Sequence, residues 1–229
     1  MIKIARKAAW NALHRASAAL GFGVASYRQP DRLQTIHTIR QLKKSREMLL
    51  TPLEANQLFA LVRATSKLGG NMAEVGVYRG ASARLIREAD PARSLHLFDT
   101  FTGLPDPGEN DTEIHLGRFE KSQFSCSLED VMKYLGPSTN LHFHPGFFPG
   151  TGETVQHERF SFVHSDVDLY VSSRSVLEFF YPRLLPGGII LTHDFATCRG
   201  PHQAFTEFFK YLPEPLIELP GDQAMIVKL

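Results

Sequence analysis

Cysteine is nearly absent from this sequence. Cys126 and Cys198 are the only two in 229 residues, and they stand in no metal-like spacing. That excludes a disulfide framework and points to a reducing compartment, the cytoplasm. Neither sign of charge is in excess. Lys and Arg number 25 against 24 Asp and Glu, a net charge of +1, which speaks against a nucleic-acid partner or an acidic tail. No apolar run approaches the ~20 residues that span a bilayer, and there is no internal repeat or low-complexity tract. One absence is local: no acidic residue precedes Asp31, while Lys3, Arg6, Lys7, His14, Arg15 and Arg28 lie among Ile2, Ile4, Trp10, Leu13, Leu20 and Phe22. This basic arm, residues 1–30, reads in three ways. It is an amphipathic helix in weak contact with an anionic membrane face, such as the inner face of the cell membrane; or a transit sequence; or a terminal helix packed on its own domain or a loosely ordered arm.

What is present suffices for one α/β domain: 43% of the residues are hydrophobic, ample for a sheet covered on both faces. The centre of the pattern is Phe160–Phe195. An apolar run, Phe160–His164, ends in Asp166 and Asp168; a second, Ile189–Thr192, ends in His193 and Asp194. Between them Ser172–Tyr181 fits one helix, stopped by Pro182 and a Pro186-Gly187-Gly188 turn. Strand, helix, strand at this spacing is a βαβ unit with parallel strands, and open α/β sheets bind ligands at the carboxyl ends of such strands. If Asp166 and Asp168 stay on an extended strand, their side chains face opposite ways, so one can hold a metal while the other meets the substrate.

Around this centre, residues 1–70 read as a helical section and 71–229 as the sheet domain. Leu33–Leu50 has a helical pattern. Thr51-Pro52-Leu53-Glu54 has the cap, first-position proline and capping-box acid of a further helix. The helical section either covers the active site or forms a homo-oligomer contact. Strands follow at Asn71–Tyr78, Ser94–Phe101 and Asn140–Phe143, with helices at Ala81–Ala89, Leu128–Leu135 and Pro201–Leu212 and a short one at Thr151–His157. Thr102–Ser127 is too long and aperiodic for an idle connection and reads as a lid. A hairpin, Pro215–Leu219 with Ala224–Leu229, closes the chain. The fold class is therefore a mostly parallel, doubly wound α/β sheet with an antiparallel C-terminal hairpin strand, plus N-terminal helices.

Glu74-Val75-Gly76-Val77-Tyr78-Arg79-Gly80 lies where the first strand turns into a helix. Gly76 and Gly80 allow close backbone approach to a ligand, and the helix start offers unpaired amides. A dinucleotide site wants G-x-G-x-x-G, whereas Glu74 here places a negative charge that repels a pyrophosphate and suits an ammonium or sulfonium. Asp99, ending the second strand, is placed to accept ribose hydroxyls.

EVGVYRGASA, LFDTFTGLP, SDVDLYVSS and LLPGGIILTHDF follow one another as in the macrocin-type O-methyltransferases, which the chain resembles from about Met72 to Phe209. The resemblance implies a Rossmann-like class I methyltransferase that uses S-adenosylmethionine, commonly with Mg²⁺, to methylate a sugar hydroxyl of a small molecule or glycan. It implies that Glu74, Gly76 and Gly80 line the methionine end of the cofactor with Tyr78, Arg79 and Ser82 beside them. Asp99 and Thr100 then meet the ribose, and Phe147 and Phe148 either flank the adenine or belong to the core. It further implies Asp166 and Asp194 as metal ligands and Asp168 as the general base. Two departures stand out. His193-Asp194 replaces the usual Asp pair, and Gly146-Phe147-Phe148-Pro149-Gly150-Thr151 lacks the usual Asp. His193 is thus a third metal ligand or a base in a metal-free site. His142 and His144 alternate about Phe143, without the further ligands a zinc site needs. Two other functions fit parts of the pattern: a metal-dependent glycosyltransferase using Asp166-Val167-Asp168, and a non-catalytic methyltransferase relative.

Overall fold

The computed structural model describes residues 2–19, 30–109, 111–114 and 117–229. Residues 1–37 and 38–229 form two compact units. In the first, α1 (Ile2–Ala19) is a helix; residues 1 and 20–29 of the basic arm lie outside the described residues. No helix among the described residues is long and apolar enough to cross a membrane.

Helix α2 (Pro30–Ser45) ends five residues before the expected Leu50. Tertiary anchors override the helical pattern there. Lys43 Nζ donates to the Met48 carbonyl at 2.9 Å, and Arg46 Nε donates to the Arg79 carbonyl at 2.9 Å. Residues 46–50 therefore leave the helix, and Met48, Leu49 and Leu50 become cavity wall. Helix α3 (Pro52–Ala64) begins as its sequence dictates, with Thr51 and Glu54 capping each other's backbone amides. It packs against the helix after the first strand, so it groups with the sheet.

The sheet is built from β1 (Asn71–Val75), β2 (Leu95–Asp99), β5 (Leu141–Pro145), β6 (Phe160–Ser165), β7 (Leu184–Thr192), β8 (Ile217–Leu219) and β9 (Gln223–Val227). The two-residue strands β3 (Thr112–Glu113) and β4 (Gly117–Arg118) pair separately within the long loop. Its helices are α4 (Ala81–Ala89), α5 (Leu128–Leu135), α6 (Tyr170–Phe180) and α7 (Arg199–Phe209). The strand order is β5-β2-β1-β6-β7-β9-β8, with β9 alone antiparallel to its neighbours. All six residues of β6 are buried, as the middle strand of a sheet covered on both faces requires. Phe98, Phe160, Phe180 and Phe205 fill the core beside it. At roughly 2–3 kcal/mol each, burial of such side chains dominates the stability of this layer.

One sequence expectation fails inside β7. Pro186-Gly187-Gly188 is not a turn before the strand but a bulge within it. Phe160 pairs with Leu184 and Phe162 with Ile189, so two steps on β6 face five on β7. Gly187, at φ 80°, donates to the Lys228 carbonyl at 2.7 Å, and the Lys228 amide returns a bond to Gly188 at 2.8 Å. The ladder therefore survives the extra residues.

From β1 the chain moves outward through β2 to β5, then returns to the other side of β1 for β6 and β7. The crevice above the carboxyl ends of β1 and β6 is the switch point of the sheet, where ligands bind in such folds.

Candidate active site

A cavity of about 450 Å³ opens at this switch point, within the size range of small-molecule sites. One half is built by β1, β2 and the loop into α4. Gly76 has φ 86°, and a Cβ on it would lie 1.7 Å from the Asp166 carbonyl oxygen. Its freedom from a side chain thus lets the ends of β1 and β6 touch. Asp99 Oδ2 accepts from the Val77 amide at 2.6 Å and the Tyr78 amide at 3.0 Å, and Oδ1 accepts from the Phe101 amide at 2.7 Å. Three of its roughly four acceptor sites are thereby used, so Asp99 shapes the loop and keeps room for about one further hydroxyl.

Tyr78, Arg79, Ser82, Thr100 and Phe147 line the same half of the cavity. Arg79 is held by Glu47 at 2.6 Å, which also lies 3.3 Å from the Tyr78 hydroxyl. Phe147 is 51% exposed and Phe148 only 7%, so the first presents a free face while the second belongs to the core.

Two expected ligand-facing residues sit elsewhere. Glu74 is wholly buried behind the cavity wall, with Oε1 2.8 Å from His164 Nδ1; burial pushes its carboxyl up against the opposing pull of His164. Gly80 caps α4 in the left-handed region, and a Cβ on it would meet Val131 of α5 at 3.0 Å. Helix packing, rather than ligand approach, explains that glycine.

The other half gathers the acids. The strand geometry expected for Asp166 and Asp168 does not persist. β6 ends at Ser165 and Asp168 takes φ 58°, so Asp166, Val167 and Asp168 all line the one cavity. Asp194 has φ 57° and Tyr78 φ 47°. Left-handed non-glycine residues cost on the order of 1–3 kcal/mol and tend to mark functional sites.

His193 Nδ1 stands 2.8 Å from Asp194 Oδ1 and 3.5 Å from Asp166 Oδ1; its Nε2 faces Glu54 Oε2 at 3.6 Å. Burial alone would push this imidazole down, but Asp166 and Asp194 outweigh it and hold its pKa well above the ordinary value. Burial, and then the negative charges of Asp194 and Asp166, push Asp168 in the direction of stronger basicity. Among the described residues, two sets of three donors lie close enough to share an ion: Asp166, His193 and Asp194; and Asp168, Asp194 and Cys198.

Sequence reasoning missed two members of this half. Glu54, seen only as a capping residue, also accepts from the Asp222 amide at 2.9 Å; burial opposes its ionisation, but His193, Thr51 and the Asp222 amide win and lower it to about 2. Asp222, in the β8–β9 turn, accepts from the Ala196 amide at 2.6 Å and the Thr197 amide at 2.9 Å. The antiparallel direction of β9 explains the placement, since its first residue lies at the carboxyl end of β7. The loop 102–127 contributes Leu104, Glu113, Phe119 and Phe124 to the wall. The imidazoles of His96, His142 and His144 lie apart from the cavity. His96 stacks on both partners, and burial with those neighbours pushes it down to about 4.

A sequence model of the macrocin O-methyltransferase (TylF) family matches residues 55–225. A 4'-O-methyltransferase of 8-demethyl-8-(2,3-dimethoxy-alpha-L-rhamnosyl)-tetracenomycin C from Streptomyces olivaceus is 29% identical over 167 residues, covering 66% of this chain and 63% of the relative. Mycinamicin III 3''-O-methyltransferase from Micromonospora griseorubida is 31% identical over 146 residues, 57% of this chain and 58% of the relative. The chain thus spans about six-tenths of the length of these curated relatives. Among solved structures, the O-methyltransferase NovP superposes with a TM-score of 0.68 at 22% identity, covering 79% of this chain and 81% of that one.

Proposed function

Because this chain belongs to the macrocin O-methyltransferase family, we propose that it transfers a methyl group from S-adenosylmethionine to a hydroxyl on the sugar of a small natural product or glycan. The observation that carries this reading is the single cavity uniting the Gly76–Ser82 loop and Asp99 with Asp166, Asp168, His193 and Asp194. The glycosyltransferase reading of Asp166-Val167-Asp168 leaves the first group without a task and finds no support in the family. Relatives that methylate rhamnosyl-tetracenomycin and mycinamicin support a sugar acceptor.

When bound, S-adenosylmethionine supplies a methyl carbon already activated by its sulfonium; transfer makes one C–O bond, breaks one C–S bond and releases one proton. The amide-anchored Asp99 and the loop it holds position the ribose and methionine ends, and Phe147 offers a face to the adenine. In-line placement of this kind lowers the barrier chiefly through orientation. A sugar hydroxyl needs help to give up its proton. Asp168 Oδ takes it, its affinity for a proton raised by burial and the neighbouring carboxylates. Leu104, Phe119 and Phe124 give the cavity an apolar wall.

Asp166, His193 and Asp194 fit a divalent cation, since their donor atoms converge within 4.8 Å and three carboxylates surround one imidazole. Such an ion would lower the pKa of a hydroxyl beside it. The test is titration calorimetry of the purified protein with S-adenosylmethionine, followed by S-adenosylhomocysteine release with deoxysugar acceptors. Saturable binding and acceptor-dependent release are expected. Binding without release by any acceptor would indicate a non-catalytic relative, and no binding would overturn the reading.

A further inference from the structure

Residue 193 carries an inference that rests on the metal part of the foregoing reading and goes beyond it. We infer that His193 sets which ion the site takes, favouring Mn²⁺, Fe²⁺ or Co²⁺ over Mg²⁺. Ligands at roughly 2.0–2.2 Å from one ion stand about 3.0–3.4 Å from each other in octahedral or tetrahedral arrangement. The 2.8 and 3.5 Å separations from His193 Nδ1 to Asp194 and Asp166 bracket that spacing. The opposite ring nitrogen supplies the second observation. Nε2 is buried and has the Glu54 carboxylate as its facing group, at 3.6 Å. A histidine whose far nitrogen addresses a carboxylate is the usual outer arrangement of a metal-bound imidazole, because the carboxylate fixes the N–H there and turns the other lone pair inward. Glu54 is itself immobilised by the Thr51 and Asp222 amides at 2.8 and 2.9 Å. The capping residue of α3 thus positions His193.

The donor set at the ion is then O, N, O. Mg²⁺ demands oxygen ligands and keeps its waters, whereas imidazole suits the later divalent metals. At position 193 this chain therefore offers a borderline nitrogen where a site for Mg²⁺ wants a hard oxygen.

The test uses the full-length protein freed of metal by a chelator, at fixed pH. Thermal unfolding is followed against concentrations of Mg²⁺, Mn²⁺ and Co²⁺, with the Co²⁺ visible absorption recorded in parallel. Oxygen-only sites also bind Co²⁺ somewhat better than Mg²⁺, so the decisive quantity is the Mg²⁺-to-Co²⁺ ratio of half-saturating concentrations compared with His193→Asp. That ratio should fall at least tenfold in His193→Asp, and the Co²⁺ band of the unmutated protein should change. Should His193→Asp fail to fold beside Glu54, His193→Asn, which offers an amide oxygen at similar size, carries the same comparison.

A ratio unchanged by both substitutions would overturn the inference, as would the absence of any ion-dependent shift. Calorimetry with S-adenosylmethionine separates the failures. A protein that binds the cofactor but no ion remains a methyltransferase candidate without this site. One that shows the ion preference but binds no cofactor keeps the metal inference and loses the methyltransferase reading.

Discussion

Replacing Gly76 by alanine is the sharpest structural test, because one atom joins the two halves of the cavity. The added Cβ would lie 1.7 Å from the Asp166 carbonyl oxygen, while real Cβ contacts essentially never fall below 3.0 Å. The shortfall is 3.0 − 1.7, or 1.3 Å. The obstacle cannot rotate away, since it is backbone, held by the Asp166 amide bonded to the Val75 carbonyl at 2.9 Å. A left-handed alanine adds about 1–2 kcal/mol, and forced overpacking about 1–3, so a loss of about 2–5 kcal/mol is expected. At a urea slope of about 2.5 kcal/mol/M, the midpoint falls by about 1–2 M. Gly69→Ala is the control: its φ is 74°, and nothing lies within 4 Å of the added atom. That variant should lose only the left-handed cost of about 1–2 kcal/mol. Equal losses for the two variants would refute the close β1–β6 contact as the reason for glycine at position 76.

Asp99→Ala should weaken S-adenosylmethionine binding by about 1.5–3 kcal/mol by calorimetry, as for hydrogen bonds to a charged group; unchanged affinity would remove Asp99 from the cofactor site. Asp168→Asn should keep cofactor binding and lower kcat by roughly 10²–10⁴, and near-normal turnover would shift the base to His193. His96, pushed down to about 4 from 6.5, refuses below pH 6.5 a proton that the unfolded chain accepts. Stability should therefore fall as pH drops from 6.5 to 4, by on the order of 3 kcal/mol in all. Urea midpoints should show His96→Phe flattening that slope; a variant as acid-sensitive as the parent would refute the assignment. Lys7 and Arg15 are exposed on α1; if the arm contacts anionic membranes, reversing both to Glu should abolish salt-sensitive sedimentation with phosphatidylserine vesicles, and equal sedimentation would dismiss the contact.

The elements most legible in the sequence were those specified locally. Helices α4 and α5 fall on their expected residues, and the Thr51–Glu54 capping box forms as written. Caps, periodicity and glycine punctuation act over a few residues, and so can be read from a few residues. The convergence of Asp166, Asp168, His193 and Asp194 was also legible, because parallel strands deliver their ends to one edge. Failures came where distant backbone intervened. Lys228 holds the bulge that hides Pro186-Gly187-Gly188 inside β7, and the left-handed turn at Asp168 cancels the alternation expected after Asp166. Gly80 and Glu74 have the residue types a ligand would want, yet one answers to α5 and the other to His164. Spacing could not tell a glycine that admits a ligand from one that admits a helix.

The bond from the Asp222 amide to Glu54 spans 168 positions, whereas the bond from the Val77 amide to Asp99 spans 22. By loop-closure entropy alone the longer connection is harder to form by about 2 kcal/mol. It also awaits the insertion of β9 between β7 and β8. The two halves of the cavity should therefore mature at different times during folding. The Asp99 side can assemble from neighbouring βα units, while the anchoring of His193 by Glu54 waits for the final strand. In native-state hydrogen exchange, the amides of Asp222, Ala196 and Thr197 should open together and before those of Val77 and Tyr78. A partly opened chain would then keep the Asp99 half of the cavity while His193 has lost the anchoring of Glu54.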